Sequence, residues 1–132
     1  MSRWQFALGL SSMILGAAHA HHSIASFYDI NRQATIEGEV SEFRFVHPHP
    51  ILIIDVAADG APERWQLEMD NRTELAAIGI SAETFKPGDR VVATGSVARK
   101  ESQRLYLRRL DRPADGLLYE QIGSRPRISG QQ

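Results

Sequence analysis

Short segments of alternating apolar and polar residues, cut by turns containing proline or glycine, constrain this chain more than any other feature. Arg64 to Met69 puts Trp65, Leu67 and Met69 on one face and Arg64, Gln66 and Glu68 on the other, the two-residue period of a half-buried strand. Ala34 to Phe45 is rich in β-branched and aromatic residues and reads as a longer strand; Ile51 to Val56 reads as a nearly continuous apolar one. In the long strand Ile36, Gly38 and Val40 alternate, then the pattern restarts out of phase at Phe43 and Phe45. With a glycine nearby, that break predicts a β-bulge. Asp59-Gly60-Ala61-Pro62 and Lys86-Pro87-Gly88-Asp89 are turns. So is His47-Pro48-His49-Pro50, whose prolines cannot donate to a ladder. Arg90 to Val97 and Arg104 to Leu110 complete five strands, joined by a charged tip from Arg99 to Gln103. The helical signal is short: Asn71 or Thr73 can cap it, Leu75, Ala76 and Ile78 supply one apolar face, and Gly79 can end it.

Three strands, a helix and two strands is the order of an oligonucleotide/oligosaccharide-binding barrel. The expected fold is therefore mainly β, a small five-stranded OB-fold-like barrel with one short helix between strands 3 and 4. Pro113-Ala114-Asp115-Gly116 closes the domain in this reading, and few apolar residues anchor the chain after Ser124. The expected organisation is a signal peptide over 1–20, a single β-barrel domain over 21–123 and a flexible tail over 124–132.

The signal-peptide expectation comes from the first twenty residues. Arg3 is followed by an uncharged Leu/Met/Ile/Ala/Gly-rich run from Phe6 to Ala18, which ends in Ala18-His19-Ala20, a small-x-small cleavage pattern. The run is about a dozen residues, short of the roughly 20 that span a bilayer. Cleavage after Ala20 and a periplasmic or secreted location follow, with no stable membrane anchor afterwards. Arg3 is one of 15 basic residues, and its removal leaves 14 against 16 acidic ones, a formal charge of −2. No basic stripe marks a nucleic-acid binder. The absence of cysteine excludes thiolate metal sites and leaves packing alone to hold the core.

Four of the five histidines remain after cleavage, as two pairs: His21-His22 at the new N-terminus and His47-x-His49 in the first strand connection. A free α-amino group and the imidazole of His21 can chelate one metal through a small ring, and His22 can add its amide and ring. A further nitrogen from His49 or His47 completes a nitrogen-rich set that suits Cu(II) better than oxygen-seeking cations. Met69 could serve Cu(I). Glu68, outward and near Asp70, is a candidate additional oxygen ligand. Copper is thus the expected cofactor, and a metal ion the expected partner, with another exported protein as a further one. No Ser/His/Asp order, phosphate loop or helical metal pair marks a catalytic set. Two alternatives stand beside the metal module. One is a periplasmic protein-interaction or ligand-binding barrel without metal, using the strand face around Phe43, Phe45 and Trp65; with Tyr106 these residues could also form a stacking face like that of single-strand-binding barrels. The other is an oxidative copper enzyme, because an N-terminal histidine chelate resembles the histidine brace of copper monooxygenases.

Six motifs in order resemble the bacterial domain of unknown function 6152 family: His21-His22-Ser23, Tyr28-Asp29, Gly38-Glu39-Val40, His47-Pro48-His49, Trp65-Gln66-Leu67-Glu68 and Lys86-Pro87-Gly88-Asp89. The resemblance covers nearly all of the chain after Ala20. It implies export, a small β-rich domain, and association of the terminal histidines with the turn histidine. His49 matches the family histidine, and His47 stands where the family usually has asparagine.

Overall fold

The computed structural model describes residues 24–130. The expected signal peptide, His21 and His22 lie outside the described residues. The fold is mainly β: a helical turn over residues 24–27, then β1 (Tyr28–Arg44), β2 (Ile51–Val56), β3 (Glu63–Glu68), α1 (Arg72–Ala77), β4 (Arg90–Ala98), β5 (Arg104–Arg112), β6 (Leu117–Ile122) and β7 (Arg125–Ser129). The seven strands form one sheet in the order β3-β2-β1-β4-β5-β6-β7. Every neighbour in that order is antiparallel; in addition β3 runs parallel to β5 over Gln66–Glu68, so the two ends of the β3-to-β5 path meet.

The expected bulge lies in β1, where the register on β2 shifts between Val40 and Glu42. The bulge restores Phe43 to the face that packs on the core, which is why the apolar pattern restarts one residue late. Gly38 is required by close approach: a Cβ there would come within 2.5 Å of the Asp55 carbonyl oxygen of β2.

Leu52, Ile54, Leu67, Met69, Leu75, Ile80, Phe85, Val91, Leu105, Leu107, Leu110, Leu117 and Tyr119 build one buried cluster. Asn71 caps α1, its side chain accepting from the Thr73 N–H, and Leu75 is the helix's buried residue. The chain turns away at Gly79 (φ +94°). In the Lys86-to-Asp89 turn the Asp89 N–H returns to the Lys86 carbonyl at 3.0 Å.

Two expectations are corrected here. The sheet has seven strands rather than five, and residues 125–129 of the expected tail are β7, paired along β6 from Ile122–Arg125 to Leu118–Ser129. Pro113 to Gly116 does not close the domain but turns β5 into β6. The cause is the alternation Leu117, Tyr119, Gln121, which buries all three residues and makes β6 an integral strand of the sheet.

Candidate functional site

The β1–β2 connection carrying His47 and His49 is fastened to the junction between β3 and α1. The Met69 N–H donates to the Pro50 carbonyl at 2.9 Å, and the Arg72 N–H donates to the Pro48 carbonyl at 2.9 Å. Arg72 also reaches back with Nε to the Phe45 carbonyl at 3.0 Å, its guanidinium lying 4.6 Å from the Phe45 ring centroid.

This junction treats the two histidines differently. His49 Nδ1 lies 3.0 Å from the Met69 carbonyl oxygen. A carbonyl only accepts, so Nδ1 carries the proton and the Nε2 lone pair is left open. No described residue is hydrogen-bonded to Nε2, and the ring is half-buried. His47 Nε2 instead lies 3.0 Å from Arg72 Nη1. Arginine only donates, so this contact occupies the Nε2 lone pair and puts the His47 proton on Nδ1. A metal at His47 Nε2 would first have to displace Arg72.

Glu68 is not solvated surface. Its Oε2 accepts from the Tyr28 hydroxyl and from Arg104 Nη2 at 3.0 Å, and its side chain is only 17% exposed. Arg104 completes the set, donating from Nε to the Tyr28 oxygen at 2.8 Å and from Nη1 to Glu101 at 2.8 Å. Burial, then the hydrogen bond to the Glu68 carboxylate, raises the Tyr28 phenol above its ordinary pKa. The Glu101 hydrogen bond, with those to Tyr28 and Glu68, raises the Arg104 guanidinium further. The Glu68 carboxylate is therefore engaged by Tyr28 and Arg104, and binding a cation would cost it those hydrogen bonds. The network ties the start of β1 to β3, one residue from the Met69 that orients His49. Nothing in the alternation of β3 signals it, because β4 and β5 lie between β1 and β3 on that side of the sheet.

Among the described residues no group of three or more His, Cys, Asp or Glu could hold a metal ion together. Met69 is fully buried, which removes it as a thioether ligand. Phe43, Phe45 and Trp65 pack against the core and Tyr106 is 1% exposed, so these four do not make an open stacking face. Phe43 meets Phe85 edge-on at 5.1 Å.

No curated protein and no solved structure matches the chain. The model of a family of unknown function, DUF6152, matches residues 10–105, a stretch that takes in His21-His22, the 47–49 turn and the strands through the start of β5 but stops short of the β6–β7 hairpin. The chain belongs to the family of unknown function DUF6152.

Proposed function

We propose that this protein is an exported metal-binding module that loses residues 1–20 and holds Cu(II) between the processed His21 terminus and His49. The observation that carries the reading is the His49 imidazole: its Nδ1–H is spent on the Met69 carbonyl and its Nε2 is open. Metal-binding histidines characteristically give their second ring nitrogen to a carbonyl or carboxylate, which fixes the tautomer and aims the first. The α-amine and imidazole of His21 supply the remaining strong donors, with His22 beside them. His47 is the reserve ligand, held back by Arg72.

Covalent geometry limits how far His21 can lie from the described chain. At about 3.5 Å per residue, His21 can lie no farther than about 11 Å from Ile24. Residues 25 and 27 are in turn held by Arg99, whose Nε donates to the Ala25 carbonyl at 3.0 Å and whose N–H donates to the Phe27 carbonyl at 2.9 Å.

The finer fold reading belongs to the same proposal. β1 to β5 are taken as an OB-like barrel with α1 between β3 and β4, extended by the β6–β7 hairpin. The parallel β3–β5 pairing supports it, since it returns the path β1-β2-β3-β5-β4 to β1.

The test is Cu(II) titration followed by electron paramagnetic resonance, on protein beginning at His21, on a form with one extra residue before it, and on His49→Ala. Blocking the terminus and removing His49 should each weaken binding by about tenfold or more and change the nitrogen hyperfine pattern. His47→Ala should leave both unchanged. Equal, weak binding by all forms would end the metal reading.

A further inference from the structure

Three polar side chains are buried among the described residues, Thr84, Ser96 and Gln121, and of these only Gln121 carries an amide. The inward alternation of β6 puts it at a core position, where an apolar side chain of similar length would pack without having to satisfy any polar atom. The amide is fully used instead. Its Nε2 donates to Asp70 Oδ2 and to the Gly123 carbonyl at 3.2 Å, and its Oε1 accepts from the buried Tyr119 hydroxyl at 2.8 Å. A carboxylate and a carbonyl only accept, so these partners also settle which end of the amide is which.

Asp70 is the residue on which this network acts, across 51 positions of sequence. Its other oxygen, Oδ1, accepts from the Asn71 N–H at 2.7 Å. A carboxylate tied at both oxygens holds the direction of its own Cα–Cβ bond, and with it the place of the Asp70 nitrogen. That nitrogen and the Met69 carbonyl belong to one planar peptide group. On its other side the plane is held by the buried Met69 side chain and by the Met69 N–H, which donates to the Pro50 carbonyl at 2.9 Å. A peptide plane can still rotate between two anchored Cα atoms unless the side-chain directions at both are held. Held as they are here, they keep the Met69 carbonyl on His49 Nδ1 at 3.0 Å. Rotated away, the carbonyl would leave Nδ1–H without its acceptor, and either ring nitrogen could then carry the proton.

We infer that Gln121 is a positioning residue for His49: through Asp70 it aims the Met69 carbonyl, and thereby fixes the His49 tautomer and the direction of its open Nε2. The consequence for copper rests on the metal reading above, but the tautomer is set in the metal-free protein and is read there.

The experiment is long-range proton–nitrogen NMR of the histidine rings in the whole chain beginning at His21, without metal, at about pH 8, where an ordinary imidazole is neutral. The wild type should show His49 as one tautomer, with the proton on Nδ1. Gln121→Met, close in length and unable to donate, should turn it into a mixture of both and leave the His47 signals in place. Asp70→Ala should do the same, and it carries the comparison if Gln121→Met does not fold. Tyr119→Phe removes a buried hydrogen bond from the same network but spares the Gln121–Asp70 contact, so it should lower stability and leave the His49 signals unchanged. Titrated with Cu(II), Gln121→Met should bind several-fold more weakly than wild type. A His49 tautomer that survives both Gln121→Met and Asp70→Ala, or that is lost equally in Tyr119→Phe, would overturn the inference even if the wild type binds copper. A tautomer that responds as expected in a chain whose wild type binds no copper would end the metal reading and leave the hold of Gln121 on His49 standing.

Discussion

The chain contains three tyrosines, Tyr28, Tyr106 and Tyr119, and all three are inside the fold, at 3%, 1% and 0% exposure. Burial is the largest cause raising each phenol's pKa above its ordinary value, with Glu68 adding to it at Tyr28, Asp70 at Tyr106 and Tyr106 at Tyr119. A phenol whose folded pKa is raised contributes stability in full below its unfolded pKa of about 10, and loses it as pH rises toward the folded value. Above about pH 10 the unfolded chain releases three protons that the folded chain retains, so stability falls by about 4 kcal/mol per pH unit. Integrated from neutral pH, the loss is about 4 kcal/mol at pH 11 and about 8 kcal/mol at pH 12. A domain of this size has about 5–15 kcal/mol in total. Alkali should therefore unfold the protein cooperatively between about pH 11 and 12.5. The assay is tyrosinate absorbance and far-ultraviolet circular dichroism recorded on the same samples. All of the tyrosinate signal should appear together with loss of the β-sheet spectrum. If about a third of it rose near pH 10 with the sheet signal intact, one phenol would be solvated and the burial argument would fail for that residue.

Three further outcomes follow from particular contacts. Arg104→Met leaves the Glu68 carboxylate, 17% exposed, without its cation; at 30% exposure of the arginine the cost should be about 2 kcal/mol, below the range for a fully buried pair. Glu68→Gln can still accept from Tyr28 and should cost only about 1 kcal/mol; urea midpoints that rank the two the other way would refute the network. Gly95→Ala should cost at least about 3 kcal/mol, because a Cβ there meets the Tyr106 carbonyl oxygen, a backbone atom that cannot swing aside; a midpoint within error of wild type would mean that β4 and β5 are farther apart. Arg112 holds the Asp115 carboxyl below the usual carboxylate range. A depressed carboxyl contributes stability above its unfolded pKa of about 4 and loses it as pH falls through the folded value. Asp115→Asn should therefore narrow the stability difference between neutral and strongly acidic pH, and an unchanged difference would remove this ion pair from the acid response.

What could be read from the residues, and what could not, divides by the range of the interaction responsible. Ile51–Val56, the inward Leu67 and Met69, the Asn71 cap and the break after Val40 are decided by neighbours within a few positions, and each was legible. Leu117, Tyr119 and Gln121 carry the same two-residue alternation, but a Pro/Gly turn just before them reads as an ending, and only pairing with β5 and β7 shows that β6 continues the sheet. The network around Glu68 is hidden from the sequence for a related reason. Alternation says which face of β3 it occupies, but not that Tyr28 and Arg104 converge on that face from strands far away in sequence.

The same division explains the two turn histidines. Spacing makes His47 and His49 equivalent: both flank a proline in one connection, and either could be a ligand. What separates them is the partner that the fold brings to each ring, an acceptor for His49 and a donor for His47. A carbonyl against Nδ1 prepares Nε2 for a Lewis acid, whereas a guanidinium against Nε2 already fills that role with a hydrogen-bonding cation. Exchanging the partners should exchange the roles. Arg72→Leu frees the His47 lone pair and loses the grip on the Phe45 carbonyl, so it should admit His47 as a copper ligand in a His49→Ala background, where the wild-type arginine keeps it closed. Recovery of the nitrogen hyperfine pattern in Arg72→Leu/His49→Ala, relative to His49→Ala alone, is the expected result. No recovery, with the fold intact by circular dichroism, would show that the position of His47 rather than the occupation of its lone pair excludes it.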